Sequence, residues 1–174
     1  GPGPYAALAR AIYGTPPTRR AAATTTGPER KDLLQLYKAV ALANLHGHVL
    51  DTFTTIAWST LGYVEDRAVD VEHRHFMEVF RHWCDDNDIP CAAIWTKERG
   101  DKHGLHSHIL ACVPYHLQTA YRVWAKGALE RRTGQALLRP TWNQATPKVS
   151  TLHISDPKGG RADWENQWEV FHYM

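Results

Sequence analysis

His106 and His108 stand one residue apart in the stretch KERGDKHGLHSHIL, and Glu98 stands eight positions before His106. On a β-strand, side chains at i and i+2 leave on the same face. Both imidazoles would then project together, while Leu105 and Ser107 turn the other way. Paired neutral imidazoles suit a divalent cation. Glu98 ends the run CAAIWTKE. If residues 99 to 104 form a hairpin loop, its carboxylate lies across from the histidine pair and supplies a third, oxygen ligand. Two histidines and one carboxylate leave coordination positions open, so that a bound ion can polarise a substrate oxygen. A hard carboxylate, together with phosphate oxygens from a substrate, favours Mg²⁺ or Mn²⁺ over zinc.

The chain carries eleven histidines, so spacing alone does not single this pair out. His46-Gly47-His48 repeats the spacing, but at a helix end around glycine, and reads as surface. His73 and His75 fall in a helical stretch, two apart, and point to different faces. His103 follows a charged run and reads as a substrate-facing or exposed loop residue. The 106/108 pair differs by its strand setting, its upstream glutamate and its apolar neighbours Ile109 and Leu110.

The elements that must hold these residues are legible from periodicity. PERKDLLQLYKAVALANLHG (28 to 47) predicts a helix with a stripe of Leu33, Leu34, Tyr37, Val40, Ala41 and Leu45, stopped by Gly47. DTFTTIAWS (51 to 59) predicts a strand in which Phe53, Thr55 and Ala57 alternate with Thr54, Ile56 and Trp58. Residues 70 to 88 predict an amphipathic helix, N-capped by Asp70, with Val71, Phe76, Val79, Phe80 and Trp83 inward. Strands follow over 91 to 98 and 105 to 113, a helix over 115 to 134, a strand over 148 to 155 and a helix over 163 to 174 N-capped by Asp163. From the first strand the order is β-α-β-β-α-β-α. That order predicts an α+β fold: a central, mainly antiparallel sheet with flanking helices, of the split βαβ type.

The chain has 174 residues, enough for one domain with a real core. Residues 14 to 28 are rich in Pro, Gly and Thr and read as a linker, so 1 to 28 form an N-terminal extension and 29 to 174 the domain. The net charge of +2 excludes a strongly basic nucleic-acid coat but not a local basic groove. No apolar run is long enough to span a membrane, so no membrane partner is expected. Cys84, Cys91 and Cys112 show no CxxC spacing and read as free thiols in a reducing cytoplasm, an intracellular location. The sequence stops at Met174 directly after an apolar-patterned stretch, as expected of a domain cut from a longer protein.

Phe53-Thr54-Thr55, then Gly104-Leu105-His106-Ser107-His108-Ile109-Leu110 with Glu98 upstream, then Tyr173 on a late helix, resembles the HUH endonucleases. These include the rolling-circle replication initiators (Rep proteins), relaxases and single-strand transposases. The resemblance covers roughly residues 50 to 174. It implies a DNA nickase and strand transferase in which Tyr173 attacks a phosphodiester of single-stranded origin or hairpin DNA. The products would be a 5′-phosphotyrosine and a free 3′-OH. It further implies His106, His108 and Glu98 as ligands of Mg²⁺ or Mn²⁺. Lys97, Arg99, Lys102 and His103 flank the metal loop and can reach the DNA backbone. Trp58, Trp95, Trp142 and Trp164 can stack unpaired bases or pack inside. A helicase or host replication proteins would be partners. The family's tyrosine motif ends in a lysine three residues on, which would fall beyond Met174. Tyr115, Tyr121 and Tyr63 are the rival tyrosines.

Two other readings stay open. A two-histidine phosphoesterase needs H-x-[ST] on two strands; His153-Ile154-Ser155 fits once, and His106-Ser107-His108 does not fit as the second copy. A non-catalytic RNA- or ssDNA-binding module on an RRM-like fold needs exposed aromatics on its central strands, for which Trp58 or Trp95 would serve.

Overall fold

The structure, a computed structural model, describes residues 30–100, 104–138 and 150–174, without the side chains of residues 30 to 32 and of Tyr173. The N-terminal extension and linker, Lys102, His103 and Trp142 therefore lie outside the described residues. The element order is α1 (Arg30–Leu45), β1 (Thr52–Ala57), a 3₁₀ turn (Trp58–Leu61), α2 (Asp66–Asp86), β2 (Ala93–Gly100), β3 (Gly104–Ala111), a 3₁₀ turn (Tyr115–Leu117), α3 (Gln118–Thr133), β4 (Leu152–Ile154) and α4 (Gly160–Tyr173).

The strands form one sheet in the order β2-β3-β1-β4, and every pairing is antiparallel. With β1 and β3 innermost this is the split βαβ arrangement, and the α+β expectation holds. The histidine-bearing strand β3 lies between two neighbours, which fixes its register from both sides. Thr55 pairs with His108 and Ala57 with His106 across β1. Thr96 pairs with His108 and Glu98 with His106 across β2.

Alternation along each strand sorts the sheet into two faces. Thr54, Ile56, Trp95, Leu105, Ser107 and Ile109 belong to one face, where they pack with Val69, Phe76 and Phe80 of α2 and Tyr121, Ala125 and Leu129 of α3. Phe53, Thr55, Ile94, Thr96, Glu98, His106, His108 and Leu110 belong to the other. One end of that second face is closed by a separate cluster of Leu36 and Val40 from α1, Leu50, Ile94, Leu110, and Phe171 from α4. The other end carries the histidines.

Gln167 holds α4 onto this face. Its amide oxygen accepts from the Leu50 backbone N–H at 3.0 Å and from the Asn44 amide at 3.0 Å. Its own amide nitrogen donates back to Asn44 Oδ1 at 2.9 Å. Both residues are buried, so the reciprocal pair satisfies groups that would otherwise be stranded away from water.

Several boundaries differ from those the sequence predicts, each for a local reason. α2 starts at Asp66, and Asp70 is not its cap; Asp70 lies inside the helix and pairs with Lys97 of β2. Val71 is exposed, and Glu72 and His73 are buried in its place, Glu72 through an ion pair with Arg132 at 2.8 Å. On α1, Leu34 is exposed and Leu36 buried, because the stripe turns to meet Phe171 on a neighbouring helix. α4 begins at Gly160, not Asp163. Asp163 still serves that helix start, its carboxylate accepting from the N–H groups of Lys158 at 2.6 Å and Gly159 at 2.7 Å.

Candidate functional site

His106 and His108 project from β3 to the same face, their rings near-parallel with centroids 6.3 Å apart. Glu98 is the register partner of His106, but its side chain reaches diagonally, and Oε2 accepts from His108 Nε2 at 3.0 Å. Such diagonal reach across a twisted antiparallel pair is ordinary for a long side chain.

His108 is gripped on its other sides by β1. Thr55 Oγ1 lies 3.2 Å from Nδ1. Phe53 stacks on the ring, with centroids 5.5 Å apart and planes inclined by 11°. Phe53 and Thr55 are two residues apart on one strand and so share the His108 face. The Phe-Thr-Thr run thus acts as a cradle for one imidazole. Thr54, between them, turns to the opposite face and bonds Tyr121 Oη at 2.7 Å.

His106 is set from its own chain: its Nδ1 meets the carbonyl of Gly104 at 3.0 Å. Gly104 has a φ of +69°, and a Cβ there would sit 2.9 Å from Ser59 Cβ. Glycine is required at this position, because a side chain would be both strained and blocked. That places the histidine-orienting carbonyl at a point no other residue could occupy without moving the strand.

His153 on β4 pairs with Thr55, and it lies exposed on the same face as the histidine pair. Across the sheet the register then reads Thr96, His108, Thr55, His153. The Thr96 hydroxyl is buried and has no hydrogen-bond partner among the described residues.

The charged residues beside Glu98 are not brought to this face. Lys97 and Arg99 alternate with Glu98 and turn toward α2, where Lys97 pairs with Asp70, and Arg99 with Asp66 at 3.0 Å. Strand alternation is the signal that would have separated them from the site. Trp58 is buried, its indole N–H donating to Ser107 Oγ at 2.7 Å. Trp95 packs on His73 with centroids 4.2 Å apart. Both belong to the cluster behind the sheet, so neither presents a free ring for base stacking.

Of the tyrosines, Tyr121 is fully buried, and desolvation raises its phenol well above the ordinary range. Tyr115 is 85% exposed, just beyond the far end of β3 from the histidines. Tyr173 is the last residue of α4, the helix whose Phe171 packs with Leu110, two residues past His108 on the same face. Its side chain lies outside the described residues.

No family model, curated protein or solved structure matches this chain.

The donor set fits a divalent cation in kind: two imidazoles and a carboxylate from adjacent strands, one imidazole already within hydrogen-bond distance of the carboxylate. Among the described residues no three His, Cys, Asp or Glu side chains converge on one point as they stand. Glu98 is engaged as a hydrogen-bond acceptor of His108. Among the described residues no helix is long and apolar enough to cross a membrane.

Proposed function

We propose that this chain is an HUH-type, Rep-like nicking domain that cleaves and rejoins single-stranded DNA through a covalent tyrosine intermediate. The observation that carries the reading is the common projection of His106 and His108, with the Glu98 carboxylate 3.0 Å from His108 Nε2. The docking of α4 on the same face lends support, because that helix brings the backbone of Tyr173 to the histidine side of the sheet.

His106, His108 and Glu98 would hold Mg²⁺ or Mn²⁺, which when bound neutralises charge developing on a phosphate oxygen. The phenol of Tyr173 gives up its proton as its oxygen attacks the scissile phosphorus; the new P–O bond forms, the bond to the 3′-oxygen breaks, and that oxygen takes up a proton to leave as a free 3′-OH. A phenol with a pKa of about 10 is a weak nucleophile unless its attack is assisted. The ester conserves the phosphodiester energy, so a free 3′-OH can reverse the step and rejoin a strand. The cations that steer DNA are not Lys97 or Arg99 in this reading, since both are engaged with α2. His153 is better placed to meet a phosphate.

Incubation with a labelled, randomised single-stranded DNA library and Mn²⁺ tests this. A labelled protein band on a denaturing gel supports the nickase. Cleavage to free ends with no such band favours a phosphoesterase. Binding with no cleavage favours an RNA- or ssDNA-binding module.

A further inference from the structure

At the end of the sheet away from the histidine pair, the joint between α2 and β2 brings two thiols together. Ile89 N–H donates to the Cys84 carbonyl at 3.0 Å, and Asp88 N–H to the Asp85 carbonyl at 3.1 Å. Asp88 between them is left-handed, with a φ of +55°. This pair of bonds ends a helix by folding the chain back across its last turn. Ile89 then packs against the cluster that contains Cys84. Cys91 returns to the helix and hydrogen-bonds the Cys84 thiol. Ala92, next in the chain, is held by the strand beside it, its carbonyl accepting from the Cys112 N–H at 2.9 Å. Cys91 is thus fixed from both sides. It is exposed, whereas Cys84 is buried. Cys112 is the third thiol, but it packs with Ala92 on the histidine-face cluster. Alternation turns Cys91 from Ala92 toward the other face, where Cys84 lies.

We propose that Cys84 and Cys91 form a dithiol modification site, at which a low-molecular-weight disulfide reacts with Cys91 and Cys84 then closes an intramolecular disulfide. The Cys91 thiolate attacks one sulfur of the reagent RSSR. A Cys91–SR bond forms, the RS–SR bond breaks, and RS⁻ leaves to take up a proton. Cys84 then loses its proton and attacks the Cys91 sulfur, expelling the second RS⁻. Two protein thiols are oxidised to one disulfide, and the reagent is reduced to two thiols. Access sets the order of the steps: the reagent meets Cys91 in water and reaches Cys84 only through it. The hydrogen bond with Cys91 and burial hold Cys84 as the thiol, so the second step is the slower one. The site is separate from the histidine pair and does not depend on how that pair is read.

The test is incubation of the reduced full chain with excess oxidised glutathione, run to completion. Acid quenching, alkylation in denaturant, trypsin digestion and mass spectrometry follow. Cys84 and Cys91 share the tryptic peptide 82 to 97, and Cys112 lies in the peptide 103 to 122. The expected end product is peptide 82 to 97 lighter by two hydrogens, carrying neither alkyl group nor glutathione, and returned to its starting mass by dithiothreitol. In Cys84→Ser the reaction should stop with glutathione on Cys91. In Cys91→Ser both the disulfide and the glutathione adduct should be lost from that peptide. Cys112→Ser should behave as wild type. Glutathione retained on Cys91 beside an alkylated Cys84 in the wild-type end product overturns the proposal. So does a disulfide that includes Cys112, or recovery of Cys84 and Cys91 both alkylated. Should a variant fail to fold, the wild-type peptide masses decide alone.

Discussion

Glu98 and His108 are joined at 3.0 Å across β2 and β3, although the strand register pairs Glu98 with His106. The carboxylate thus reaches along the strand past its direct neighbour. One imidazole is bound to it, and the other is oriented by a backbone carbonyl. This division of labour makes the two histidines of the HxH pair chemically unequal, though the sequence writes them alike.

Behind the same strand, Ser107 bridges two buried groups: Trp58 Nε1 donates to its hydroxyl at 2.7 Å, and His73 Nδ1 lies 2.7 Å away. Replacing Ser107 with Ala strands both, and each unsatisfied buried group costs about 1–3 kcal/mol. Ser107→Ala is therefore expected to lower unfolding free energy by roughly 2–6 kcal/mol in a urea titration. Because Ser107 faces away from His106 and His108, metal binding at saturating stability should be retained. A change under about 0.5 kcal/mol, the ordinary range of a surface substitution, would contradict the bridging role.

Two titrating groups shifted by desolvation act on stability in opposite senses. Burial pushes the Asp51 carboxyl up to about 6, against the hydrogen bonds from Val113 N–H and the Thr52 hydroxyl that hold it down. Burial lowers His73 to about 4. As pH falls from about 6 to 4, folded Asp51 takes up a proton that the unfolded chain does not yet bind, which adds stability. As pH falls from 6.5 to about 4, the unfolded chain protonates His73 and the folded one does not, which removes it. Each shift corresponds to about 3 kcal/mol, so they nearly cancel in the wild type. Relative to wild type, Asp51→Asn should lose its advantage as pH drops through this window, and His73→Leu should gain one. Unfolding free energies of the three proteins at pH 4, 5, 6 and 7 check this, and parallel profiles would contradict it.

Much of this was legible in the residues. Alternation in TFTTIA and GLHSHILA assigned both faces of the inner strands correctly, and with them the projection of the histidine pair. The same rule separates Lys97 and Arg99 from Glu98, yet chain proximity suggested a common loop. What the sequence did not carry was tertiary. Asp70 has the chemistry of an N-cap, but Lys97 on another strand claims it, and the helix runs on to Asp66. The support of His108 by Phe53 and Thr55 depends on β1 lying beside β3, a contact across more than fifty residues. His73 looked like one of two ordinary helical histidines. Its burial follows from the serine presented by the back of the HxH strand.

The thiols differ by environment and should differ in rate. Cys91 is exposed, whereas Cys84 is buried and its thiol is held well above the usual range, first by a hydrogen bond with Cys91 and then by burial. Burial and the neighbouring Asp51 carboxylate push Cys112 up to about 12. Reaction with a disulfide reagent at pH 8 should show one fast thiol, lost in Cys91→Ser, because the thiolate is the reacting form. Two or three thiols of equal rate in the folded protein would contradict these environments.

The central claim, that Tyr173 attacks DNA at the histidine site, is tested most directly by locating the covalent bond. The chain is incubated with Mn²⁺ and the randomised single-stranded library, digested with trypsin and nuclease, and analysed by mass spectrometry. The account predicts a nucleotide-5′-phosphate on Tyr173, in the peptide following Arg161. It should be absent in Tyr173→Phe and reduced about 10²-fold or more in His106→Ala, the scale of losing several kcal/mol of charge stabilisation. An adduct on Tyr115 or Tyr63, an adduct that persists in Tyr173→Phe, or no adduct with any library sequence would contradict it.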